Sequence, residues 1–91
     1  MSNPVSESQS YKNFTSTTTI VPTAITPNVR LLGIFVASAA GGTIKVSDGA
    51  NTVANTFTPL AATFYPIPAE CNGTVTITVV GTLDATVFYT V

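Results

Sequence analysis

The stretch TVTITVV, from Thr74 to Val80, sets threonine and branched aliphatic residues in strict alternation. Successive side chains of a β-strand point to opposite faces, so Val75, Ile77 and Val79 fall on one face and the threonines on the other. Such alternation is typical of a strand that is buried on one side only. We therefore expect these three aliphatic side chains to be core residues.

Strands of the same kind are predicted on both sides of this stretch. Ile44 and Val46 alternate with polar neighbours, and Val87 belongs to a C-terminal run that alternates from Leu83 to Val91. Glycine, proline, asparagine and aspartate separate the runs at short, regular intervals, which favours antiparallel neighbours. The predicted strands are Thr17–Val21, Ala24–Asn28, Arg30–Ala37, Thr43–Ser47, Thr52–Thr58, Thr63–Ile67, Thr74–Val80 and Leu83–Val91. The fold class is all-β, an antiparallel β-sandwich of jelly-roll or immunoglobulin-like type with about seven or eight short strands.

Two of these runs also predict where their strands lie within the sheet. Arg30–Ala37 is apolar on both faces, which predicts a central strand covered on both sides, or covered on its second side by a neighbouring subunit. Thr63–Ile67 contains Pro66, and proline cannot donate to a central ladder, so this strand is predicted to lie at an edge or to end there.

The N-terminal residues 1–16 are polar and show no period. We expect a flexible arm over these residues, with residues 17–91 forming the sandwich domain. Tyr11 and Phe14 are two aromatic residues in this otherwise polar arm, and we expect them to become ordered on a partner.

The charge content is low: 8% of the chain is charged, 45% is hydrophobic, and the net charge is −1. Globular domains carry roughly a quarter charged residues, and near-neutral surfaces promote association. A protein that meets copies of itself or a larger lattice is therefore expected. Three basic residues cannot form a phosphate-binding track, so no nucleic acid is expected as a partner. The apolar run Leu31–Ala40 is too short for a membrane helix of about twenty residues, so no membrane is expected either.

The sequence contains few residues that could form a catalytic or metal-binding site. It has no histidine, and Cys71 is its single cysteine, so no Ser-His or Cys-His pair and no zinc cluster can be assembled. Asp48, Glu70 and Asp84 lie at predicted turns, where carboxylates cap backbone amides. We expect no enzyme activity, no cofactor and no metal, and Cys71 is interpreted as a small buried apolar residue.

Between Leu31 and Val91 the sequence contains a series of strand and turn patterns, none of which is a catalytic signature. They are LGIFV at Leu32–Val36, GTIKV at Gly42–Val46, NTFTP at Asn55–Pro59, TFYPIP at Thr63–Pro68 and GTLDATV at Gly81–Val87. In these pieces the chain is similar to a group of small phage-encoded proteins. It resembles small β-sandwich virion proteins, such as capsid decoration (cement) proteins.

The resemblance implies a structural protein that decorates a capsid as a homo-oligomer, most plausibly a trimer, with the major capsid protein as its partner. The polar N-terminus shows no secretory signal, so synthesis in the host cytoplasm and a final place in the virion are expected. The alternatives are a tail, fibre or head–tail completion protein, or a carbohydrate-binding module with Tyr65 or Tyr89 as its platform. The predicted partner contacts are Tyr11, Phe14, Leu31, Phe35 and Tyr65.

Overall fold

A computed structural model describes residues 10–22 and 28–90 of the chain. These residues form eight β-strands and no helix. The strands are β1 (Ser10–Phe14), β2 (Thr18–Ile20), β3 (Val29–Ala39), β4 (Thr43–Asp48), β5 (Asn51–Phe57), β6 (Thr63–Cys71), β7 (Val75–Val80) and β8 (Leu83–Thr90).

The strands form two four-stranded sheets. Sheet A has the order β1-β8-β3-β6, and sheet B has the order β2-β7-β4-β5. Every pair of neighbouring strands runs antiparallel. This order is that of a jelly roll, an eight-stranded double sheet built from two Greek keys. The predicted all-β sandwich is confirmed, and the strand order selects the jelly roll over the immunoglobulin-like alternative.

The core lies between the two sheets and is apolar throughout the part of the chain that the structure describes, with no buried polar or charged side chain. Seven of the strands contribute buried residues mainly at alternate positions, as a period of two requires, while β5 contributes only partly buried ones. The expected core positions Ile44, Val46, Val75, Ile77 and Val87 are confirmed, while Val79 is partly buried. The buried set is Phe14, Val29, Leu31, Ile34, Val36, Cys71, Leu83, Ala85 and Val87 from sheet A, and Ile20, Ile44, Val46, Val75 and Ile77 from sheet B.

Strand β3 is central in sheet A, between β8 and β6, as its apolar character predicts. A register shift between Leu31 and Gly33 marks a bulge that keeps Leu31 and Ile34 both on the inner side. Leu31 is only 2% exposed, so its predicted role as a partner contact is wrong. The side chain fills the core opposite sheet B instead.

Strand β6 lies at the edge of sheet A, as Pro66 predicts. It continues past the predicted end at Ile67 to Cys71. An edge strand tolerates Pro66 and Pro68 because only one side of the strand must pair.

The predicted arm over residues 1–16 is wrong for residues 10–16. Ser10–Phe14 forms β1, which pairs with β8 in register Phe14 to Ala85, and Phe14 is 5% exposed. The sequence of this strand is polar because the strand lies at a sheet edge, where Lys12 and Asn13 remain exposed. Residues 1–9 lie outside the described residues, as do 24–27 of the predicted second strand and Val91.

Substitutions on β7 test the inward and outward faces. Ile77→Ala should lower the free energy of unfolding by about 2–5 kcal/mol, because Ile77 is fully buried and the lost side chain leaves a cavity. Thr76→Ala, on the outer side of the same strand, should change it by no more than about 0.5 kcal/mol. Chemical denaturation measures both values, and equal losses would contradict the assignment of the two faces.

The place of β1 in the fold is tested by its two aromatic residues. Phe14→Ala should destabilise the protein by about 3–5 kcal/mol, because Phe14 belongs to the core. Tyr11→Ala, three residues earlier on the outer face, should cost about 0.5 kcal/mol or less. A Phe14→Ala variant that melts like the parent protein would restore the interpretation of this segment as an arm outside the fold.

Candidate functional site

The outer face of sheet A carries one exposed aromatic side chain from each of its four strands. Tyr11 of β1 is 73% exposed, Phe88 of β8 36%, Phe35 of β3 38% and Phe64 of β6 46%. We call this surface the aromatic face. Contiguous exposed apolar surface of this kind is typical of interaction sites, whereas singly scattered apolar residues are not.

The strand register brings these side chains into two adjacent rows across the sheet. In the first row Tyr11 pairs with Phe88, and Phe88 pairs with Gly33 of β3. In the second row Phe35 pairs with Phe64 on one side and with Thr86 on the other. The residues next to Phe35 and Phe88 along their strands are buried or partly buried, so the aromatic face is the outward half of the same alternation that builds the interior.

Gly33 holds the centre of the aromatic face. A Cβ atom at this position would collide with the ring of Phe64 and would lie 2.6 Å from the carbonyl oxygen of Tyr65. The Phe64 ring therefore lies directly over the glycine backbone. It also reaches Phe88, with ring centroids 6.3 Å apart and an interplanar angle of 57°, a tilted arrangement that aromatic pairs favour.

Charged groups flank the two aromatic rows without entering them. At one end Arg30 and Glu70 form an ion pair of 3.3 Å between exposed side chains. At the other end the Nδ2 of Asn13 donates to Asp84 Oδ1 at 2.9 Å, and also to the carbonyl oxygen of Ala85. The charges that border the aromatic face are thus already engaged within the molecule.

The outer face of sheet B is polar by contrast. Lys45 pairs with Thr78, and Ser47 pairs with Thr76, on the outward positions of β4 and β7. The two outer faces of the sandwich therefore differ in chemistry, one aromatic and one rich in threonine.

A second uncharged surface lies at one end of the sandwich, where the loops 15–17, 40–42, 58–62 and 81–82 meet. None of these loop residues is charged. Leu60 is 68% exposed there, and Val80 at the adjoining end of β7 is 66% exposed. We call this surface the uncharged end.

The turn that presents Leu60 is held by its own polar groups. The backbone N–H of Leu60 donates to the Tyr65 hydroxyl at 2.8 Å, and the Thr63 hydroxyl donates to the carbonyl oxygen of Ala61 at 3.0 Å. Ala62 adopts a left-handed backbone conformation with φ of 56°, which is uncommon for a residue with a Cβ. The exposed leucine is thus carried on an ordered turn.

The predicted partner contacts are only partly brought together. Tyr11 and Phe35 both lie on the aromatic face, whereas Phe14 and Leu31 are buried and are not available to a partner. Tyr65 lies on the inner side of β6, half-buried, with its ring centroid 5.2 Å from that of Phe57. Tyr89, the other predicted sugar platform, is also partly buried against the core.

Sequence reasoning missed Phe64 and Phe88 as members of the aromatic face. Their own strands contain the signal, because Phe64 alternates with the half-buried Tyr65 and Phe88 follows the buried Val87. The strand pairing that places Phe88 beside Gly33 and Tyr11 joins residues far apart in the sequence, so it could not be predicted from any local pattern.

The carboxylates and the thiol have structural partners. Asp48 accepts hydrogen bonds from the backbone N–H groups of Asn72 at 3.2 Å and Gly73 at 3.0 Å, which ties β4 to the turn before β7. Burial, and then the negative charge of Asp48, raise the pKa of the Cys71 thiol. The described residues contain no cluster of three or more metal-ligating side chains and no helix that could span a membrane.

No protein-family model matches the chain, and no curated protein matches it.

The fit of Phe64 over Gly33 can be tested by adding a single methyl group. Gly33→Ala should destabilise the protein by about 1–3 kcal/mol, because the new Cβ meets both the ring and a backbone oxygen. Phe64→Ala in the same chain should recover only part of that loss, since the Tyr65 carbonyl remains 2.6 Å from the new Cβ. Thermal melts that show Gly33→Ala to be neutral would contradict this arrangement.

Proposed function

We propose that this chain is a structural phage virion protein, a capsid decoration (cement) protein that binds the assembled shell as a homo-oligomer. The observation that carries the proposal is that the described residues expose two separate uncharged surfaces with exposed apolar side chains, the aromatic face and the uncharged end. A cement protein needs two such surfaces, one for its own copies and one for the major capsid protein.

The chemistry of these surfaces favours lattice contacts over steered binding. Electrostatic steering depends on complementary charged patches, and the charged residues beside the aromatic face are already paired with one another or hydrogen-bonded. Apolar contacts between neutral surfaces form without such patches, and they gain from the removal of aromatic and aliphatic area from water.

The uncharged end is the surface we assign to the shell. Its exposed side chain Leu60 lies on a turn fixed by the Tyr65 hydroxyl and by Thr63. A turn whose backbone is already held in place loses little conformational freedom on binding, so more of the contact energy appears as affinity. A leucine presented in this way fits an apolar pocket between capsid subunits.

Stabilisation of the shell follows from selective binding. A protein that binds assembled shells but not separated capsid subunits shifts the equilibrium towards the shell, by about 2.7 kcal/mol per site when its free concentration is 100 times its Kd. No catalytic step is part of this proposal.

The test is co-sedimentation of the purified protein with undecorated shells and, in parallel, with dissociated major capsid protein. We expect binding to the shells alone, together with a higher melting temperature of the decorated shells. Leu60→Ser should weaken this binding, while Thr76→Ser, on the threonine-rich face, should leave it unchanged. Equal binding to shells and to free subunits, or none to either, would contradict the decoration role.

Imaging of native particles separates decoration from the other virion roles. Protein located on the capsid surface supports the proposal. Protein located on a tail, a fibre or the head–tail junction would replace decoration by the corresponding structural role.

A further inference from the structure

We propose that the aromatic face binds the aromatic face of a second copy of this chain, forming a two-fold dimer. This inference rests on the proposed function, since it assigns the self-contact of the proposed homo-oligomer to one defined surface. Four observations lead to it: the state of the sheet edges, the position of the charges, the size of the face and the rigidity of its centre.

Self-association through the sheet edges is hindered at each of the four described edge strands. In sheet A, β1 carries Lys12 and β6 carries Pro66 and Pro68. In sheet B, β2 has three residues, and β5 shifts register twice against β4. Charge, proline, short length and bulges are the devices by which native edge strands avoid pairing with other chains. Contact between copies is thereby directed to a sheet face.

The aromatic face can meet its own copy without burying an unpaired charge. Its two central rows consist of Tyr11, Phe88, Gly33 and Pro66, and of Asn13, Thr86, Phe35 and Phe64. Neither row contains a charged residue. The net charge of −1 adds little repulsion between identical chains. Like charges placed opposite each other would disfavour a self-contact, and on this face charged residues lie only at the two ends of the rows.

The size of the face suits a specific pair. The four strands of sheet A have 5, 8, 11 and 9 residues. At a strand spacing of about 4.8 Å and about 3.3 Å per residue, the whole outer side of the sheet, including its charged ends, has a flat area of about 500 Å². Two such sides bury about 1,000 Å² in total, to which the projecting side chains add, and this reaches the area that a specific interface requires. The threonine-rich face of sheet B is smaller, because its strands have only 3, 6, 6 and 7 residues, and it lacks the aromatic side chains that dominate binding energy at interfaces.

The centre of the face is organised before contact. Phe64 lies over Gly33 and touches Phe88, so the rings at the centre of the face do not have to be ordered by the partner. Rigid aromatic side chains supply contact area at a low entropic cost. A face-to-face contact of this kind is isologous, with each residue meeting its partner's counterpart surface, and it closes at two copies.

The dimer differs from the trimer that the sequence led us to expect. A closed trimer needs two different, mutually complementary surfaces on each copy. The aromatic face supplies only one of these two surfaces. The uncharged end does not supply the other, because we assign it to binding the shell. The mass of the assembly in solution therefore decides between the two arrangements.

The experiment is sedimentation of the purified full-length protein over a range of concentrations, with two lysine variants as a matched pair. Tyr11→Lys places a charge within the aromatic face, and Val21→Lys places the same charge on a residue of similar exposure just after β2 of sheet B, outside both the aromatic face and the uncharged end. We expect a dimer for the parent protein, a dimer dissociation constant raised at least about 30-fold by Tyr11→Lys, and an unchanged constant for Val21→Lys.

Phe88→Thr provides a second variant that removes apolar area without adding charge, and it should also weaken the dimer. Circular dichroism of every variant should match the parent spectrum, because the substituted side chains lie outside the core. A monomer at all concentrations, a trimer, or equal weakening by Tyr11→Lys and Val21→Lys would each overturn the inference. Shell co-sedimentation keeps the two proposals apart. A monomer that still binds shells overturns the dimer, and with it the homo-oligomer in solution, but not the decoration role. A dimer that binds no shell overturns only the decoration role.

Discussion

The structure depends on one constraint, the two-residue period of a β-strand applied to both sheets at once. Val75 and Ile77 of β7 face Val87 and Ile34 across the interior because β3, β7 and β8 each keep their apolar set on the inner side. A slip of one residue in any strand would turn that set to solvent. In β3 the bulge between Leu31 and Gly33 preserves this phase, and it also places a glycine where the Phe64 ring needs room.

The aromatic face follows from the same constraint, because the choice of inward-facing residues in a strand also determines which of its residues face outward. Phe88 points outward since Val87 points inward, and its partners across the sheet are then Tyr11 and Gly33. The result is a sandwich whose two outer faces differ in chemistry while its core is uniform. Assembly through one face leaves the other face and the loop-lined ends free for different contacts.

Strands β4, β7 and β8 could be predicted from the sequence because each alternates within a few residues. The jelly-roll order could not, since β1 pairs with β8 across almost the whole chain. Because this pairing is long-range, β1 could not be predicted either: its exposed residues Lys12 and Asn13 are typical of a disordered tail. For the same reason the burial of Phe14 could not be predicted from the sequence. Of the aromatic face, Tyr11 and Phe35 were predicted as contacts, while Phe64 and Phe88 become neighbours only through strand pairing.

The two outer faces of the sandwich are proposed to have different roles, with the aromatic face alone meeting another copy. Nuclear magnetic resonance spectra recorded during dilution test this difference residue by residue. We expect concentration-dependent chemical shifts for Tyr11, Gly33 and Phe88 on sheet A, and constant chemical shifts for Lys45 and Thr78 on sheet B. Chemical shifts that change on sheet B, or spectra that do not change with concentration on either sheet, would rule out this division of roles.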